Sequence, residues 1–411
     1  MTGLERLNGS PSAPIALALS GGGDSLALLH LAKAWADGAG RELLALTVDH
    51  GLQPQSADWS QQAAQLAGRL KVAHRILPWL GEKPSSGLPA AARAARHALL
   101  ADAARAAGAR VILMAHTADD LIETELMRRA GGSTPSPRLW SPSPAWPEGR
   151  GVFLLRPLLG HRRAELRSYL AARGERWIDD PANDDHRYAR ARARRLVGSD
   201  AETPRPEPSV RCVGLAEVTE GLGGELTVPR SAIVGDDPPR RLLGALILCA
   251  AGTTRPAAAV SLARLAARLS AGEDFAASLA GARIEASGEG VLFCREAGES
   301  ARGGLMTIGH GQGDTIFDGR FLLAARPDGA RVAPLRGLAR RLPKDQQARL
   351  ASLAPPVRRA LPAVIDALGG VVCPVFSEGG GVSARSLVLG RLRAALGAIP
   401  DEATAAQDEA R

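Results

Sequence analysis

The residues best suited to chemistry lie between positions 20 and 25, where the sequence reads Ser-Gly-Gly-Gly-Asp-Ser. The apolar run Ile15–Leu19 precedes them and predicts a short buried strand, and the stretch from Ser25 predicts a helix. Glycines let the chain turn sharply and leave N–H groups open to a ligand, because they carry no Cβ. Such a loop at a helix N-terminus binds anions, since free N–H donors and the helix dipole favour negative charge. We therefore expect phosphate groups to be held by Ser20, Gly21, Gly22, Gly23, Asp24 and Ser25.

The loop contains no lysine and matches neither G-x-x-x-x-G-K-[ST] nor G-x-G-x-x-G. The charge of bound phosphates must then be balanced by N–H groups, a metal ion and basic residues from other parts of the chain. The pattern resembles the PP-loop of the N-type ATP pyrophosphatases, which cleave ATP between the α and β phosphates and adenylate a substrate oxygen. The resemblance implies ATP as co-substrate.

Two more polar clusters follow strand-like runs: Asp49-His50-Gly51 after Glu42–Val48, and His116–Asp120 after Val111–Ala115. The alternation of such runs with helical stretches predicts an α/β fold with a parallel sheet. Ligands bind such sheets outside the carboxyl ends of the strands. We therefore expect the loop and both clusters to converge on one crevice.

The cluster after the third strand continues into a predicted helix that carries several acids. Asp120 and Glu123 are three residues apart and so share one helical face, while Asp119 or Asp120 is also placed to cap the helix. Carboxylates facing phosphates suit Mg²⁺, which proteins hold with one or two carboxylates plus phosphate oxygens. We expect Asp120 to hold this ion, and the resemblance to the PP-loop enzymes implies Asp24 as a second ligand. The ion would neutralise charge developing between the α and β phosphates.

Several motifs occur in the order and spacing of the tRNA(Ile)-lysidine synthases, and together they span about residues 13–197. They are Ser20–Ser25, Val48–Leu52, Ala91–Arg96, Ala115–Thr124, Arg156–Leu159, Trp177–Asn183, Tyr188–Arg190 and Arg194. The chain departs from the family pattern mainly at Gly131–Gly151, a Pro/Ser/Trp-rich insertion that we expect to be a surface loop.

The resemblance implies a two-step ligase reaction. ATP adenylates the C2 oxygen of the wobble cytidine 34 of tRNA(Ile) with a CAU anticodon. The ε-amine of L-lysine then displaces AMP to give lysidine. A homodimer is consistent with the family.

The resemblance also implies roles for individual residues. Val48, Asp49, His50 and His116 would contact the nucleotide. Catalysis would depend on Asp24, Asp119, Asp120 and Glu123, the last three handling Mg²⁺ or the lysine ammonium. Arg93 would bind a phosphate or the transition state, because a guanidinium binds phosphate in a bidentate manner.

A net charge of +8 favours a polyanionic partner such as nucleic acid. The basic stretch after residue 186 is expected to contact the tRNA backbone through Arg187, Arg190, Arg192 and Arg194. The alternative is an ion-paired joint, since four aspartates lie close by between positions 179 and 185.

We predict four regions: a PP-loop adenylation domain over 1–200, a mostly helical tRNA-binding region over 201–300, a small α+β domain over 301–400, and a disordered tail over 401–411. The four cysteines, all beyond residue 211, form no C-x-x-C pair, which excludes the usual zinc and disulfide frameworks and fits the cytoplasm. No signal peptide or apolar run of about 20 residues is present, so we expect no membrane span.

Three alternatives remain from the sequence. A PP-loop tRNA thiolase would need a reactive or cluster-binding cysteine near the site, and the first 211 residues contain none. A small-molecule amide ligase would not need the arginine-rich stretch. A non-catalytic ATP- and RNA-binding protein would show an eroded phosphate loop or acidic cluster, and neither is eroded.

Overall fold

The computed structural model describes residues 1–132, 135–179, 189–197, 215–235, 239–298, 308–309, 315–324, 329–377 and 382–410. The chain forms two compact units: residues 1–210 together with 399–411, and residues 211–398. Within the described residues no helix is long and apolar enough to cross a membrane.

The first unit is built on a six-stranded sheet. Its strands are β1 (Ile15–Ala18), β2 (Leu43–Asp49), β3 (Ala73–Pro78), β4 (Val111–Leu113), β5 (Trp140–Pro142) and β6 (Phe153–Leu155). The strand order is β3-β2-β1-β4-β6-β5, and every pair is parallel except β5 with β6. β1 is buried along its whole length, as is typical of a parallel strand covered on both faces.

Six helices of this unit connect or follow these strands. They are α1 (Gly23–Ala39), α2 (Ser56–Arg69), α3 (Leu88–Ala106), α4 (Ala118–Arg129), α5 (Arg163–Ala171) and α6 (Ala189–Leu196). The chain runs from β1 outward through β2 and β3 and then returns to β4 on the other side of β1. At such a reversal the loops after β1 and β4 diverge and leave a crevice at the carboxyl edge of the sheet. The predicted parallel-sheet α/β fold is confirmed.

The second unit contains helices and three antiparallel sheets. Its elements are β7 (Thr219–Glu220), β8 (Leu226–Pro229), α7 (Pro239–Ala251), α8 (Ala259–Ser270), β9 (Phe275–Leu279), β10 (Ala282–Ser287), β11 (Gly290–Arg295), β12 (Ile308–Gly309), β13 (Thr315–Phe317), β14 (Phe321–Ala324), β15 (Arg331–Pro334), α9 (Lys344–Ser352), α10 (Pro355–Arg358), β16 (Pro362–Ile365), β17 (Val371–Val372), β18 (Ser383–Ser386) and α11 (Val388–Ala395). The sheet orders are β7-β8-β11-β10-β9, β12-β13-β14-β18 and β15-β16-β17.

The expected helices of the middle region are α7 and α8, whose apolar residues share a core with β8, β10 and β11. This region also holds the five-stranded sheet, which is more strand than the sequence indicated. The domain boundary expected near residue 300 lies inside the second compact unit and remains a prediction.

The expected disordered tail at 401–411 is wrong, because residues Glu402–Ala410 form a helix, α12, that belongs to the first unit. Glu402 is 1% exposed and pairs with Arg41 at 2.9 Å, and it accepts a hydrogen bond of 2.9 Å from the Gly9 N–H. The Trp140 indole donates to the Ile399 carbonyl at 2.8 Å. These partners are hundreds of residues away in sequence, so local composition could not reveal them.

We predict that Glu402→Gln destabilises the first unit, because it leaves the buried Arg41 guanidinium without its ion partner. Removing one member of a buried pair costs about 3–5 kcal/mol. All six tryptophans lie in residues 1–210, so their fluorescence during urea unfolding reports on this unit. The control is Glu42→Gln at an exposed carboxylate, and equal midpoints for both variants would contradict the assignment.

Candidate active site

The phosphate loop lies between β1 and α1, as its sequence predicts. The Ser25 hydroxyl donates to the Gly22 carbonyl at 2.9 Å and accepts from the Ser20 N–H at 3.2 Å. The two serine hydroxyls are 3.1 Å apart. The side chains at both ends therefore close the loop internally, and the N-terminus of α1, beginning at Gly23, opens toward the crevice.

Residues Trp177 and Ile178 cover this loop from outside. The Ile178 N–H donates to the Gly21 carbonyl at 3.0 Å. Gly21 has φ +81°, and a Cβ there would lie 2.4 Å from the Ile178 side chain. A Cβ at Gly23 would lie 3.4 Å from the Trp177 ring. At Gly21, both the backbone conformation and the close cover require glycine.

At the end of β2, Asp49 and His50 have different surroundings. The Asp49 carboxylate accepts from the Gly51 N–H at 2.9 Å and from the Ser56 hydroxyl, so it closes the turn before α2. His50 lies edge-on to the Trp79 ring at 6.0 Å. Its Nδ1 is buried and has no hydrogen-bond partner among the described residues. Burial and the Arg96 charge lower the pKa of His50, so the imidazole is neutral near pH 7.

The first turn of α4 carries the acidic cluster. Asp120 accepts from the Thr117 N–H at 2.7 Å and from its hydroxyl at 3.0 Å, which forms a capping box. The Ala118 N–H donates to the His161 carbonyl at 2.9 Å, which ties the start of α4 to the segment that leads into α5. Glu123, one turn later, is completely buried. The capping residue is thus Asp120, which the sequence also predicts to be catalytic.

Arginines from two later helices surround these carboxylates. Arg163 at the start of α5 donates to Asp24 at 3.0 Å and to Glu123 at 3.1 Å. Arg190 of α6 donates to Asp120 at 2.5 Å and to Glu123 at 2.9 Å. Arg194 donates to Glu123 at 3.0 Å. Charge-assisted hydrogen bonds of this kind offset the cost of burying the carboxylates.

Asp119 is bound by different groups from those that bind the other acids. It accepts from the Arg163 N–H at 2.7 Å and from the Arg162 guanidinium at 3.2 Å. Burial alone would raise the pKa of Asp119, but these bonds outweigh burial and lower it. Asp24 behaves in the opposite way: burial raises its pKa, and the Arg163 charge offsets only part of that effect.

Basic residues also surround the crevice. Arg156 donates from Nε to His116 Nδ1 at 3.3 Å and from Nη1 to the Arg138 carbonyl at 2.7 Å. Burial and neighbouring arginines hold the pKa of His116 well below its usual range, so it is a neutral acceptor at Nδ1. Burial lowers the pKa of both Arg156 and Arg96 to about 10, which leaves both charged at neutral pH.

Arg93 and Arg96, one turn apart on α3, have no hydrogen bond or ion pair with any described residue. Arg93 is exposed, and Arg96 is half-buried beside Arg93, Arg190 and Asp120. The site therefore contains carboxylates neutralised by arginines and, beside them, two guanidinium groups without a partner among the described residues. These two groups can supply the positive charge that the loop itself lacks.

The structure brings together most of the residues predicted for the site. The loop, the strand end at Asp49 and His50, His116 and the acids of α4 all lie at the carboxyl edge of the sheet. Arg190 and Arg194, predicted to bind tRNA, also pair with acids of α4: Arg190 with Asp120 and Glu123, and Arg194 with Glu123. Arg192 is exposed, and Arg187 lies outside the described residues. Sequence reasoning missed Arg96, Arg156, Arg162 and Arg163, of which the first two lie inside recognised motifs.

Asp24 and Asp120 differ in how well they could hold a magnesium ion. Within the described residues, no three His, Cys, Asp or Glu side chains converge as a metal cluster. Asp24 bonds to Arg163 through Oδ2, which leaves Oδ1 without a hydrogen bond in the described part of the chain. Both oxygens of Asp120 already accept hydrogen bonds, from Thr117 and Arg190. Asp24 therefore fits an oxygen-ligated ion that is completed by phosphate oxygens, and Asp120 fits it less well.

Comparisons with known proteins show what the chain is similar to. The PP-loop domain family matches residues 3–200. The chain is 47% identical over 405 residues to a tRNA(Ile)-lysidine synthase of Caulobacter vibrioides, covering 97% of this chain and 96% of that one. It is 40% identical to one of Hyphomonas neptunium, covering 69% and 82%. A U34-tRNA thiolase of Methanococcus maripaludis, with its [4Fe-4S] cluster, is 15% identical, covers 47% of this chain and 69% of that one, and has a TM-score of 0.39.

The fold and the loop define a PP-loop ATP-binding enzyme. Because the identity extends over nearly the whole of both chains, the protein belongs to the tRNA(Ile)-lysidine synthase family.

We predict that Gly21→Ala weakens ATP binding at least ~10-fold, since a strained backbone at positive φ costs about 1–3 kcal/mol and the new Cβ displaces Ile178. Isothermal titration calorimetry with ATP measures the effect. Gly68→Ala is the control, because a Cβ there meets nothing within 4 Å. Wild-type affinity in Gly21→Ala would contradict the assigned loop geometry.

A second prediction concerns His97, which is 5% exposed and whose pKa is lowered to about 3 by burial and then by Arg93 and Arg96. The unfolded chain binds a proton there below pH 6.5 and the folded chain does not, so His97 makes stability fall as the pH drops from about 6.5 toward 3. The contribution reaches about 1.4 kcal/mol per pH unit. His97→Leu should flatten the decline in unfolding free energy between pH 6.5 and 5. His161→Gln, at a partly exposed histidine, should leave the slope unchanged. Equal slopes in all three proteins would refute the assignment.

Proposed function

We propose that the protein is an ATP-dependent ligase that converts the wobble cytidine of tRNA(Ile) with a CAU anticodon to lysidine. The C2 oxygen of cytidine 34 attacks the α-phosphorus of ATP and pyrophosphate leaves. The amine of L-lysine then attacks C2, and AMP leaves with the oxygen. This substrate is supported by the 47% identity to a tRNA(Ile)-lysidine synthase, which extends over nearly the whole of both chains.

The observation that best supports the proposal is the excess of arginine around the crevice. Asp24 of the lysine-free loop and the acids of α4 are bound by Arg163, Arg190 and Arg194. Arg93 and Arg96 lie beside Arg190 and Asp120 and have no hydrogen bond or ion pair among the described residues. A triphosphate fits these two groups, because guanidinium groups bind phosphate oxygens in pairs. The amine of the second substrate fits the acids of α4, where Asp119, Asp120 and Glu123 accept hydrogen bonds.

The Mg²⁺ expected from the sequence would be held by Asp24 together with phosphate oxygens. When bound, the ion supplies charge neutralisation between the α and β phosphates. Asp120 would join only if Arg190 released its oxygen. The chain itself would orient the nucleotide, because the backbone N–H groups of the loop and the Arg93 guanidinium both bind phosphates.

The lysine amine must be neutral to attack, which requires a proton acceptor or a desolvated site. His116 is poorly suited as that acceptor, because Arg156 occupies its Nδ1 and its pKa lies well below the usual range. His50 Nδ1 has no hydrogen-bond partner among the described residues, so His50 fits better. We assign the nucleotide contact at the end of β2 to the same residue.

The tRNA backbone is proposed to bind Arg187 and Arg192, with Arg190 and Arg194 as further contacts. The ion pairs of Arg190 and Arg194 indicate that these two also hold the acidic cluster. Three cysteines are described, and Cys249, Cys294 and Cys373 are all buried, with pKa values raised by burial to about 11, 12 and 12. Such thiols are poor nucleophiles, which disfavours a thiolase and fits a ligase of the reducing cytoplasm.

We predict that radiolabelled lysine enters the transcript of tRNA(Ile) with a CAU anticodon in the presence of ATP and Mg²⁺, and does not enter the elongator methionine tRNA. Asp24→Ala should lower the rate at least ~100-fold, because it removes both the carboxylate at the phosphates and the partner of Arg163. Asp37→Ala, at an exposed position of the same helix, is the matched control.

Absence of label in both tRNAs, with ATP still cleaved in response to tRNA, would replace lysine with another nucleophile. Absence of both label and cleavage would refute the ligase and favour a non-catalytic ATP- and RNA-binding protein.

A further inference from the structure

One residue contacts every acidic group predicted for catalysis. The guanidinium of Arg163 reaches Asp24 through Nε at 3.0 Å, Glu123 through Nη1 at 3.1 Å and Asp120 through Nη2 at 3.6 Å. Its backbone N–H donates to Asp119 at 2.7 Å. The side chain is 15% exposed, so these contacts are made largely out of water.

The other arginines of the cluster reach fewer partners. Arg190 contacts Asp120 and Glu123, and Arg194 contacts Glu123. Within the described residues, Arg163 alone has ion pairs with both Asp24 of α1 and the carboxylates of α4. Among the described residues, the Arg163 guanidinium therefore links Asp24 of the phosphate loop to the acids of α4.

We infer that Arg163 is a positioning residue that holds the phosphate-loop carboxylate and the acids of α4 at a fixed separation, so that the nucleotide and the acceptor meet in register. This inference rests on the proposed ligase function. Arginine suits the role because its planar guanidinium offers donors at three nitrogens in a rigid arrangement. A lysine offers one nitrogen on a flexible stem and cannot reach three carboxylates in these directions at once.

Without the guanidinium, Asp24, Asp120 and Glu123 would repel one another. Burial acts to lower the pKa of Arg163, but these three carboxylates outweigh it and raise the pKa, so the group is always charged. The expected consequence of its loss is a displaced loop and displaced acids rather than a lost substrate contact. Displacing reacting groups by about 1 Å costs on the order of 10²-fold in rate.

The test compares Arg163→Met and Arg163→Lys with the wild type, measured as AMP release from ATP in the presence of tRNA and lysine. Arg163→Met should lower kcat ~10- to 100-fold while the KM for tRNA changes less than ~2-fold. Arg163→Lys should recover part of the rate, because it restores charge without the three-way geometry. Arg173→Met, at an exposed arginine just beyond the end of α5, is the matched control and should behave as wild type.

A double-mutant cycle with Glu123→Gln separates positioning from independent action. If Arg163 acts through these carboxylates, the two losses combine to less than their product. Multiplicative losses, an unchanged kcat in Arg163→Met, or an effect confined to KM would overturn the inference. If Arg163→Met does not fold, Arg163→Lys decides: a lowered kcat with a wild-type melting temperature supports positioning, and a wild-type kcat refutes it.

Failure of the proposed function gives a different pattern. In that case the wild type itself incorporates no lysine, and the effect of Arg163 is then followed through tRNA-dependent ATP cleavage alone.

Discussion

The burial of Glu123 depends on three guanidinium groups that meet its carboxylate. The side chain has no exposed surface, and Arg163, Arg190 and Arg194 each bond to one of its oxygens at 2.9–3.1 Å. A buried carboxylate without such partners would be strongly unfavourable. Ion pairs to Glu123 therefore fix the N-terminal turns of α4 and α5 and the helix α6 relative to one another. This arrangement positions Asp120 and brings Asp24 into the same network.

The charged groups of the crevice differ in how fully they are paired. The acids near α4 are matched by arginines almost one for one, whereas Arg93 and Arg96 on α3 have no partner in the described part of the chain. An anionic ligand such as a triphosphate gains most from these two arginines. A cationic amine must compete with arginines for the acids. The proposed ATP site depends on this excess of arginine, because the loop itself has no lysine.

Local patterns in the sequence were sufficient for the loop, the strand ends and the capping acid. The glycine run between an apolar strand and a helix indicates a tight turn at the carboxyl edge of the sheet, and an acid at the start of α4 follows from helix capping. The arginine partners were not accessible in this way. Arg163 is separated from Asp24 by 139 residues and from Glu123 by 40, and an arginine near a helix start carries no local signal of either partner. The sequence allows an ion-paired joint between Arg190, Arg194 and the nearby aspartates, whereas the structure pairs both arginines with the acids of α4. The buried pair of Arg41 and Glu402 spans 361 residues, which is why the C-terminal helix was expected to be disordered.

The proposed function depends on one step, in which the C2 oxygen of the wobble cytidine is activated by joining it to the α-phosphorus of ATP. The most direct measurement uses tRNA(Ile) carrying ¹⁸O at C2 of cytidine 34, with ATP and lysine, and weighs the released AMP by mass spectrometry. If the base is adenylated, the label leaves the tRNA and appears in the phosphate of AMP, with one ¹⁸O for each lysidine formed. AMP without the label, alongside lysidine formation, would show that the oxygen departs by another route and would contradict adenylation of the base.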